Sequence, residues 1–225
     1  MKRVTLFITG TDTGVGKTVL TTLLAGHLRR AGLAVAALKP FCSGGREDAV
    51  ALHEALEGAL ALDEINPWHF RAALAPLLAA RRENKRVCLG DVLQHVRRVR
   101  RRFEVTLVEG AGGLLSPLGE GFNARDLIAR LAAIPIVVCP NRLGVVNQAE
   151  LVLAALPRAT ALRSRVVLVQ PPIHDLASRT NPALLSEQIG RDRVCLLPWL
   201  DGRPQKLAQA RQTMQGLWEG IQLLG

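Results

Sequence analysis

The 225-residue sequence has no unbroken apolar run of the roughly 18 residues that a membrane-spanning helix needs, although apolar residues form 48% of the chain. This absence argues against a membrane protein. The four cysteines, Cys42, Cys88, Cys139 and Cys195, include no CxxC pair, so the chain shows neither a zinc-binding pattern nor a dithiol redox motif. No linker rich in Pro, Gly or Ser and no internal repeat divides residues 1–225, which are therefore expected to form a single domain.

The first residues also lack the features of a secretory signal peptide. The apolar segment Val4–Thr9 is short and strand-like, and Gly10 ends it. We therefore expect a cytoplasmic protein with reduced thiols.

Acidic residues are scarce relative to basic ones. The chain has 19 Asp and Glu against 29 Lys and Arg, a formal net charge of +10 that suits an anion-binding protein. The densest basic run, Arg97–Arg102, contains no aromatic residue for base stacking and ends an amphipathic segment. Cations at a helix C-terminus complement the helix dipole, so a solvated helix end is favoured over a nucleic-acid site.

Short apolar runs rich in β-branched residues alternate with amphipathic segments along the chain. Runs that are apolar on both faces are typical of central strands in a parallel sheet. These runs are Val4–Thr9, Leu33–Leu38, Val105–Val108, Ile134–Val138, Val166–Val169 and Val194–Leu197. Apolar residues recur at helical spacing in Val19–Leu28, Ala49–Leu60, Val92–Val99, Leu127–Leu131, Val146–Leu156 and Leu207–Ile221. The alternation predicts an α/β fold: a doubly wound, mainly parallel sheet with helices on both faces.

A glycine-rich loop, Gly10–Thr18, joins the first predicted strand to the first predicted helix. Backbone N–H groups of such a loop and of the following helix N-terminus form an anion site. In this pattern Lys17 reaches the β- and γ-phosphates, and the Thr18 hydroxyl ligates magnesium. Five residues rather than the usual four separate Gly10 from Gly16. The loop predicts a P-loop NTPase-like fold that binds ATP with Mg²⁺, and a plain strand-to-helix turn is the disfavoured alternative.

Three charged residues lie where ligands of such sheets bind, after a strand or at the start of a helix. Glu109 follows a predicted strand and precedes Gly110–Gly113, and Asp48 opens a helical segment. Both carboxylates are candidate magnesium ligands, with a purely helix-terminal role as the alternative for Asp48. Lys39 follows the strand that ends at Leu38 and is a candidate for gripping an anion, with a surface lysine as the alternative.

These residues resemble the dethiobiotin synthetase family, ATP-dependent enzymes that close the ureido ring in biotin synthesis. The long phosphate loop and the VEGAGG stretch at residues 108–113 are the most specific matches. Further segments match in the family's order: Lys39–Gly44, Asp48–Leu52, Asn66–Phe70, Leu143–Asn147 and Leu197–Leu200. The resemblance covers most of the chain.

The resemblance implies that the substrates are 7,8-diaminononanoate, carbon dioxide and ATP. A substrate amine would take up carbon dioxide as a carbamate, which the γ-phosphate would activate as a mixed anhydride, and the neighbouring amine would then close the ring. Lys17, Lys39 and Thr11 would be catalytic, with the two lysines holding the carbamate and γ-phosphate oxygens. Thr11 and Ser43 would fix the substrate.

The resemblance also implies the ligands of the metal and of the nucleotide. Thr18, Asp48 and Glu109 would bind Mg²⁺. The nucleotide would contact Thr13, Gly14, Val15, Gly16, Lys17, Thr18, Val19, Asp48, Glu109, Gly110, Ala111, Gly112, Gln170, Pro198, Trp199 and Leu200. The last three would line the adenine pocket.

The family's active sites form at a homodimer interface, so a homodimer is expected. The loop that carries Leu143, Gly144 and Asn147 would receive the distant carboxylate of the substrate from the partner subunit. A strand-to-helix turn without a ligand is the alternative for this loop.

Two departures from the family pattern leave other functions open. Gln170 stands where the family usually has an asparagine that reads the adenine amine, and Gln148 replaces a common histidine. These changes allow a relaxed choice of nucleotide or a nucleotide-binding paralogue with altered catalysis. A ParA/MinD-like partition ATPase acting on DNA is a further alternative that the charge favours. Such proteins usually carry a lysine early in the loop, where residues 11–13 are Thr, Asp and Thr.

Overall fold

The computed structural model describes residues 3–224. The strands are β1 (Val4–Gly10), β2 (Val35–Leu38), β3 (Phe41–Ser43), β4 (Trp68–Phe70), β5 (Val105–Glu109), β6 (Pro117–Gly119), β7 (Phe122–Asn123), β8 (Ile134–Pro140), β9 (Arg165–Val169) and β10 (Val194–Leu197). The helices are α1 (Lys17–Arg30), α2 (Glu47–Ala55), α3 (Leu62–Ile65), α4 (Pro76–Arg82), α5 (Leu89–Arg100), α6 (Ala124–Leu131), α7 (Val145–Ala155), α8 (Arg158–Arg163), α9 (Leu176–Ile189) and α10 (Pro204–Gln222).

Six strands form the central sheet, in the order β10-β9-β8-β1-β5-β2, and every pair in it is parallel. The six apolar runs of the sequence supply these six strands, so the prediction of a parallel α/β sheet is confirmed. Two small sheets, β3 with β4 and β6 with β7, were not predicted. Their strands have two or three residues each, too few to show a periodic pattern.

The predicted helical segments are present, but one of them is shorter than predicted. Helix α2 ends at Ala55 rather than reaching Leu60. Glu57 and Gly58 have φ angles of 50° and 74°, and such left-handed residues cannot continue a right-handed helix. Helix α9 was missed, and it contains Pro182, which obscures a helical pattern.

Strand β8 shows how the sheet is buried on both faces. Ile136 and Val138 belong to the larger apolar cluster, whereas Val137 and Cys139 belong to a smaller cluster with residues of α7 and α9. Successive side chains of a strand point to opposite faces. Helices therefore cover both sides of the sheet, as the doubly wound prediction requires.

Helix α5 ends in the basic run that was predicted to be a helix end. Arg97 donates a hydrogen bond to the Arg130 carbonyl oxygen at 3.2 Å, and Arg100 donates to that of Leu131 at 3.4 Å. Both carbonyls belong to the end of α6. Within residues 3–224, no helix combines the length and the hydropathy that a membrane crossing requires.

The strand order places a crevice beside β1. The connection from β1 leads to β2, which lies on the β5 side of β1. The connection from β5 leads to β8, which lies on the opposite side of β1. Ligands of open α/β sheets bind at the carboxyl ends of strands where the connections diverge in this way. Gly10 ends β1 and Glu109 ends β5, so both face this crevice.

Candidate nucleotide-binding site

Glycines hold the loop after β1 in a compact path. Gly14 and Gly16 have φ angles of 70° and 95°, in the left-handed region that glycine adopts without steric cost. A Cβ at Gly10 would lie 2.7 Å from the Val15 side chain and 3.0 Å from the Val138 carbonyl oxygen. A larger residue at Gly10 would therefore displace the loop from the end of the sheet.

Helix α1 begins at Lys17 without a side-chain cap. Gly16 at the N-cap has no side chain to accept a hydrogen bond, and the first turn contains no acidic residue. The first amide N–H groups of an α-helix have no partner within the helix. These donors and the positive end of the helix dipole are thus available to an anion.

The Lys17 side chain folds back over the loop. Its Nζ donates a hydrogen bond to the Asp12 carbonyl oxygen at 2.7 Å, and the residue is only 5% exposed. Burial, followed by the positive charge of Lys39, lowers the pKa of Lys17 to about 8. Because burial disfavours this ammonium, a bound phosphate oxyanion would stabilise it.

Three oxygen-bearing side chains converge beside the start of α1. The Thr18 hydroxyl oxygen lies 2.8 Å from Asp48 Oδ1 and 2.7 Å from Glu109 Oε1. A hydroxyl has one proton and can donate to only one of these carboxylates at a time. Glu109 is fully buried, and its Oε2 has no hydrogen-bond partner in the described part of the chain. The cluster thus has acceptor capacity that a divalent cation can satisfy.

Lys39 bridges the two carboxylates of this cluster. Its Nζ lies 2.6 Å from Glu109 Oε1 and 2.8 Å from Asp48 Oδ2. The residue is 4% exposed, so the surface-lysine alternative is wrong. Burial opposes its charge, but the Glu109 and Asp48 carboxylates outweigh burial and raise the pKa of Lys39. Burial likewise opposes ionisation of Asp48, and the pairing with Lys39 outweighs it and lowers the pKa of Asp48.

A cavity of about 900 Å³ opens beside the phosphate loop. The predicted site residues that line it are Thr13, Gly14, Gly16, Lys17, Thr18, Val19, Lys39, Ser43, Asp48, Glu109, Ala111 and Gly112. Val15 and Gly110 are neighbours of this lining but do not form part of it. Val15 is buried in the core, and the Gly110 N–H donates to the Ile8 carbonyl oxygen. The structure thus brings the predicted phosphate, metal and lysine residues around one space.

The two hydroxyls predicted to fix the substrate have different surroundings. Ser43 lines the cavity, and its Oγ is buried without a hydrogen-bond partner among residues 3–224. Thr11 does not line the cavity, and its hydroxyl oxygen is likewise buried without a hydrogen-bond partner among residues 3–224. Ser43 is therefore placed to bond a ligand in the cavity, whereas Thr11 lies outside it. Cys42 also lines the cavity, but burial raises the pKa of its thiol to about 11, which favours an inert role.

Sequence reasoning missed the apolar wall of the cavity, which includes Phe41, Leu74 and Pro76. The Phe41 ring stacks on Trp68 with the ring centroids 5.5 Å apart, because β3 pairs with β4. Such a surface can pack against an alkyl chain. Only the pairing of these short strands brings the two rings together, so no local pattern could have revealed the wall.

Asn66 holds the backbone that carries Lys39. Its Nδ2 donates to the Lys39 carbonyl oxygen at 2.9 Å, and its Oδ1 accepts from Arg46 Nε at 3.0 Å. The Arg46 guanidinium also donates to Asp63 Oδ1 at 2.8 Å. Arg46 is therefore bonded away from the cavity, which it does not line.

The residues predicted to contact the base lie outside the large cavity, at the carboxyl ends of β9 and β10. The Gln170 N–H donates to the Leu197 carbonyl oxygen at 2.8 Å, which joins Gln170 to the start of Pro198–Leu200. A Cβ at Gly16 would lie 3.3 Å from Val169 Cγ2, so the phosphate loop meets this region directly. The residues predicted to contact the base therefore lie on the far side of Gly16 from the cavity.

The loop between β8 and α7 is not brought to the cavity. Leu143 is 84% exposed, and Gly144 and Asn147 are exposed as well. None of the three lines the cavity of its own chain.

Comparison with known proteins places this site within a family. A family model described as an AAA domain matches residues 4–204. The ATP-dependent dethiobiotin synthetase BioD of Anaeromyxobacter sp. (strain Fw109-5) is 41% identical over 197 residues, which cover 85% of this chain and 88% of that protein. The ATP-dependent dethiobiotin synthetase BioD of Bacillus subtilis (strain 168) is 34% identical over 218 residues, 92% of this chain and 90% of that protein.

Solved structures with similar folds are more distant in sequence. A ParA family ATPase from Chlorobium tepidum TLS matches with a TM-score of 0.58 and 12% identity over 98% of this chain and 96% of that one. The pNOB8 ParA structure bound to nonspecific DNA matches with a TM-score of 0.59 and 13% identity over 98% and 99% of the two chains. These likenesses show the fold alone. The identities to the curated relatives, over most of both lengths, show that this chain belongs to the dethiobiotin synthetase family.

Proposed function

We propose that this chain is an ATP-dependent dethiobiotin synthetase that forms a ureido ring from 7,8-diaminononanoate and carbon dioxide. The observation that carries the proposal is Lys39, a buried ammonium that shares the cavity with Lys17 of the phosphate loop. Cations stabilise the charge of a transferring phosphoryl group, and a carbamate brings a second negative charge that a further cation can neutralise. Lys39 supplies that cation.

The reaction joins two anions that repel each other. A substrate amine adds to carbon dioxide, forming a C–N bond and releasing a proton to leave a carbamate. A carbamate oxygen then attacks the γ-phosphorus as the bond to ADP breaks, and the second amine attacks the carbamate carbon of the mixed anhydride, releasing phosphate. Lys17 and Lys39 neutralise the carbamate and γ-phosphate oxygens, so the protein acts by positioning and electrostatic stabilisation. Ser43 bonds the substrate, and Thr11 does so after a local rearrangement.

The oxygen cluster fits the magnesium ion that the family implies. Thr18, Asp48 and Glu109 converge within hydrogen-bonding distance, and Glu109 Oε2 is buried without a partner among residues 3–224. No group of three His, Cys, Asp or Glu side chains suited to a metal occurs in that range, and Mg²⁺ needs none, since phosphate and water complete its ligands. When bound, the ion would neutralise phosphate charge. Lys39 would then turn from the two carboxylates towards the substrate.

The base and the distant substrate carboxylate occupy the two outer regions of the site. Gln170 and Pro198–Leu200 border the base. In a homodimer, the exposed loop with Leu143, Gly144 and Asn147 of the partner subunit receives the substrate carboxylate. The exposure of this loop, and its absence from the cavity of its own chain, support a shared site.

One assay tests the proposed function. Purified protein receives ATP, Mg²⁺ and bicarbonate with or without 7,8-diaminononanoate, and phosphate release and the ring product are followed, the latter by mass spectrometry. We expect phosphate release that depends on the diamine and one ring product per phosphate. Absence of diamine-dependent turnover would overturn the proposal, and ATPase activity stimulated by duplex DNA would favour the partition-type alternative.

A variant pair tests the role of Lys39. Lys39→Ala should lower kcat by at least about 100-fold with nucleotide still bound, since one charged group that stabilises the transition state is lost. Lys39→Gln keeps a polar group beside Glu109 and Asp48 but carries no positive charge, so its kcat should fall by the same amount. Lys206→Ala, on α10 and outside the cavity, is the control. Full activity of both Lys39 variants would remove the residue from the mechanism.

A further inference from the structure

Glu47 brings to the cavity a carboxylate that the proposed reaction does not use. Among the described residues, the acidic side chains that line the cavity are those of Glu47, Asp48 and Glu109. Asp48 and Glu109 pair with Lys39. Glu47 is exposed, and no ion pair or side-chain hydrogen bond within residues 3–224 involves its carboxylate. This carboxylate is therefore available to a ligand.

The short connection between β3 and α2 sets the position of this carboxylate. Glu47 is the first residue of α2, and its side chain folds back over Gly45. A Cβ added at Gly45 would lie 1.8 Å from Glu47 Oε2 and 2.3 Å from Oε1. Ser43, the last residue of β3, lines the cavity together with Gly45 and Glu47. The unpartnered Ser43 hydroxyl and the Glu47 carboxylate thus lie at the two ends of one turn.

The neighbouring basic side chains are bonded elsewhere and leave the charge of Glu47 in place. Arg46 precedes Glu47, but its guanidinium donates to Asp63 Oδ1 at 2.8 Å. Lys17 Nζ donates to a backbone oxygen of the phosphate loop, and Lys39 lies between two other carboxylates. A cationic ligand is therefore the group that this side of the cavity can accept.

The charges of the substrates identify such a ligand. Alkylamines are protonated near neutral pH, as the lysine side chain is, so a diamine reaches the protein as a cation. In the proposed function, Lys17 and Lys39 hold the phosphate and carbamate oxygens, and Asp48 and Glu109 hold the metal. Glu47 is then the carboxylate of the described cavity lining that remains for an ammonium group.

We propose that Glu47 binds an ammonium group of the diamine beside Ser43, an inference that rests on the proposed function. The bound group is the amine that has not taken up carbon dioxide. The Glu47 carboxylate and the Ser43 hydroxyl oxygen each accept an N–H from it. The apolar wall begins next to this turn, since a Cβ at Gly44 would lie 3.1 Å from Ala73 Cβ. The alkyl chain of the substrate thus leaves the ammonium site along this wall.

Removal of the charge tests the proposal by steady-state kinetics on the full chain. Glu47→Gln should raise KM for 7,8-diaminononanoate about tenfold and change KM for Mg·ATP by less than about twofold, because a charged hydrogen bond to one substrate is lost. Glu54→Gln, on the same helix and outside the cavity, is the matched control and should behave as wild type.

Two results would contradict the role of Glu47. An unchanged KM for the diamine in Glu47→Gln would overturn the proposal. A rise in KM for Mg·ATP without a rise for the diamine would also overturn it, because Glu47 would then serve the metal or the helix start that carries Asp48.

Displacement of the carboxylate tests its position while the charge is kept. Gly45 lies outside the left-handed region, so its backbone accepts alanine, but the new Cβ would overlap Glu47 Oε2. Gly45→Ala should raise KM for the diamine by about threefold or more, and should add little in the Glu47→Gln background, since contacting residues are not additive. Equal effects in both backgrounds would contradict the contact.

Direct binding separates this inference from the proposed function. Calorimetry with the diamine and Mg·ADP, without bicarbonate, measures binding in the absence of turnover. Weaker diamine binding by Glu47→Gln than by wild type, with no ring product from wild type, would sink the ligase proposal alone. Ring formation with equal diamine binding by the two proteins would sink the inference alone, and absence of diamine binding by wild type would overturn both.

Discussion

Two helices begin at the carboxyl edge of the same sheet, and their first residues are built in opposite ways. The N-cap of helix α9 is Asp175, whose side chain accepts from the Ser178 N–H at 2.7 Å while the Ser178 hydroxyl accepts from the Asp175 N–H at 2.9 Å. The N-cap of helix α1 is Gly16, which has no such side chain. The contrast teaches that one helix satisfies its free N–H groups internally and the other keeps them for a ligand.

The charges near the two helix starts differ in the same sense. Lys17 lies at the first position of α1 and Lys39 is close enough to lower its pKa. At α9 a carboxylate lies at the N-cap instead, and hydrogen bonds from the Ser178 backbone and hydroxyl lower the pKa of Asp175. A phosphate would be attracted to the start of α1 and repelled from the start of α9.

Removal of Lys17, the cation at the start of α1, should have the largest effect on the difference between the two helix starts. Lys17→Ala is expected to lower kcat/KM for ATP by about 100- to 1,000-fold, because the γ-phosphate loses its principal cation. Steady-state kinetics would measure this effect, and circular dichroism would check the fold. Lys206→Ala should leave kinetics unchanged, and near-normal activity of Lys17→Ala would show that the start of α1 does not hold phosphate.

High pH should weaken the site without any substitution. The pKa of Lys17 is lowered to about 8, so its ammonium is present below that pH and is lost as the pH rises through it. We expect ATP affinity to fall by up to about tenfold per pH unit above that point. Calorimetry from neutral to alkaline pH would measure the fall. Lys17→Arg should move it to higher pH, and an identical profile in this variant would assign the titration to another group.

A side-chain cap added at Gly16 should make the start of α1 resemble the start of α9. Asparagine tolerates the left-handed conformation, so Gly16→Asn would supply a capping oxygen where Gly16 has none. We expect ATP affinity about tenfold lower, since the carboxamide competes with phosphate for the N–H groups and its Cβ approaches Val169. Gly32→Asn, at the other end of α1 with a φ of 84° and open space around it, is the matched control. Equal affinities of the two variants would contradict the competition.

Loss of the cap on α9 should have the smallest effect on function. Asp175→Ala should lower the free energy of unfolding, because the N-cap is lost, and change ATP affinity by less than about twofold. Chemical denaturation and calorimetry would measure both quantities. Asp175→Asn keeps an acceptor and should recover most of the stability. A large loss of ATP affinity in Asp175→Ala would mean that the α9 start belongs to the nucleotide site.

Much of the difference between the starts of α1 and α9 could be predicted from the sequence, because it depends on neighbouring residues. The six central strands and the loop Gly10–Thr18 were predicted from apolar runs and glycine spacing, which act locally. Asp175 and Ser178 were not recognised as a capping box, since Pro182 masked the helix that follows. The apolar wall at Phe41 was also missed, because it depends on a strand pair without periodic sequence.

The sequence by itself determined the parallel sheet, the phosphate loop and the identity of the charged candidates, because hydrophobic period and loop chemistry are properties of adjacent residues. Only the tertiary structure decided which charges meet. Glu109 and Lys39 are 70 residues apart in the chain, yet their side chains lie 2.6 Å apart because β2 and β5 are neighbours in the sheet. The strand order likewise placed Asn141 beside Gln170 and left the loop at Leu143 exposed, since long-range pairing carries no local signature.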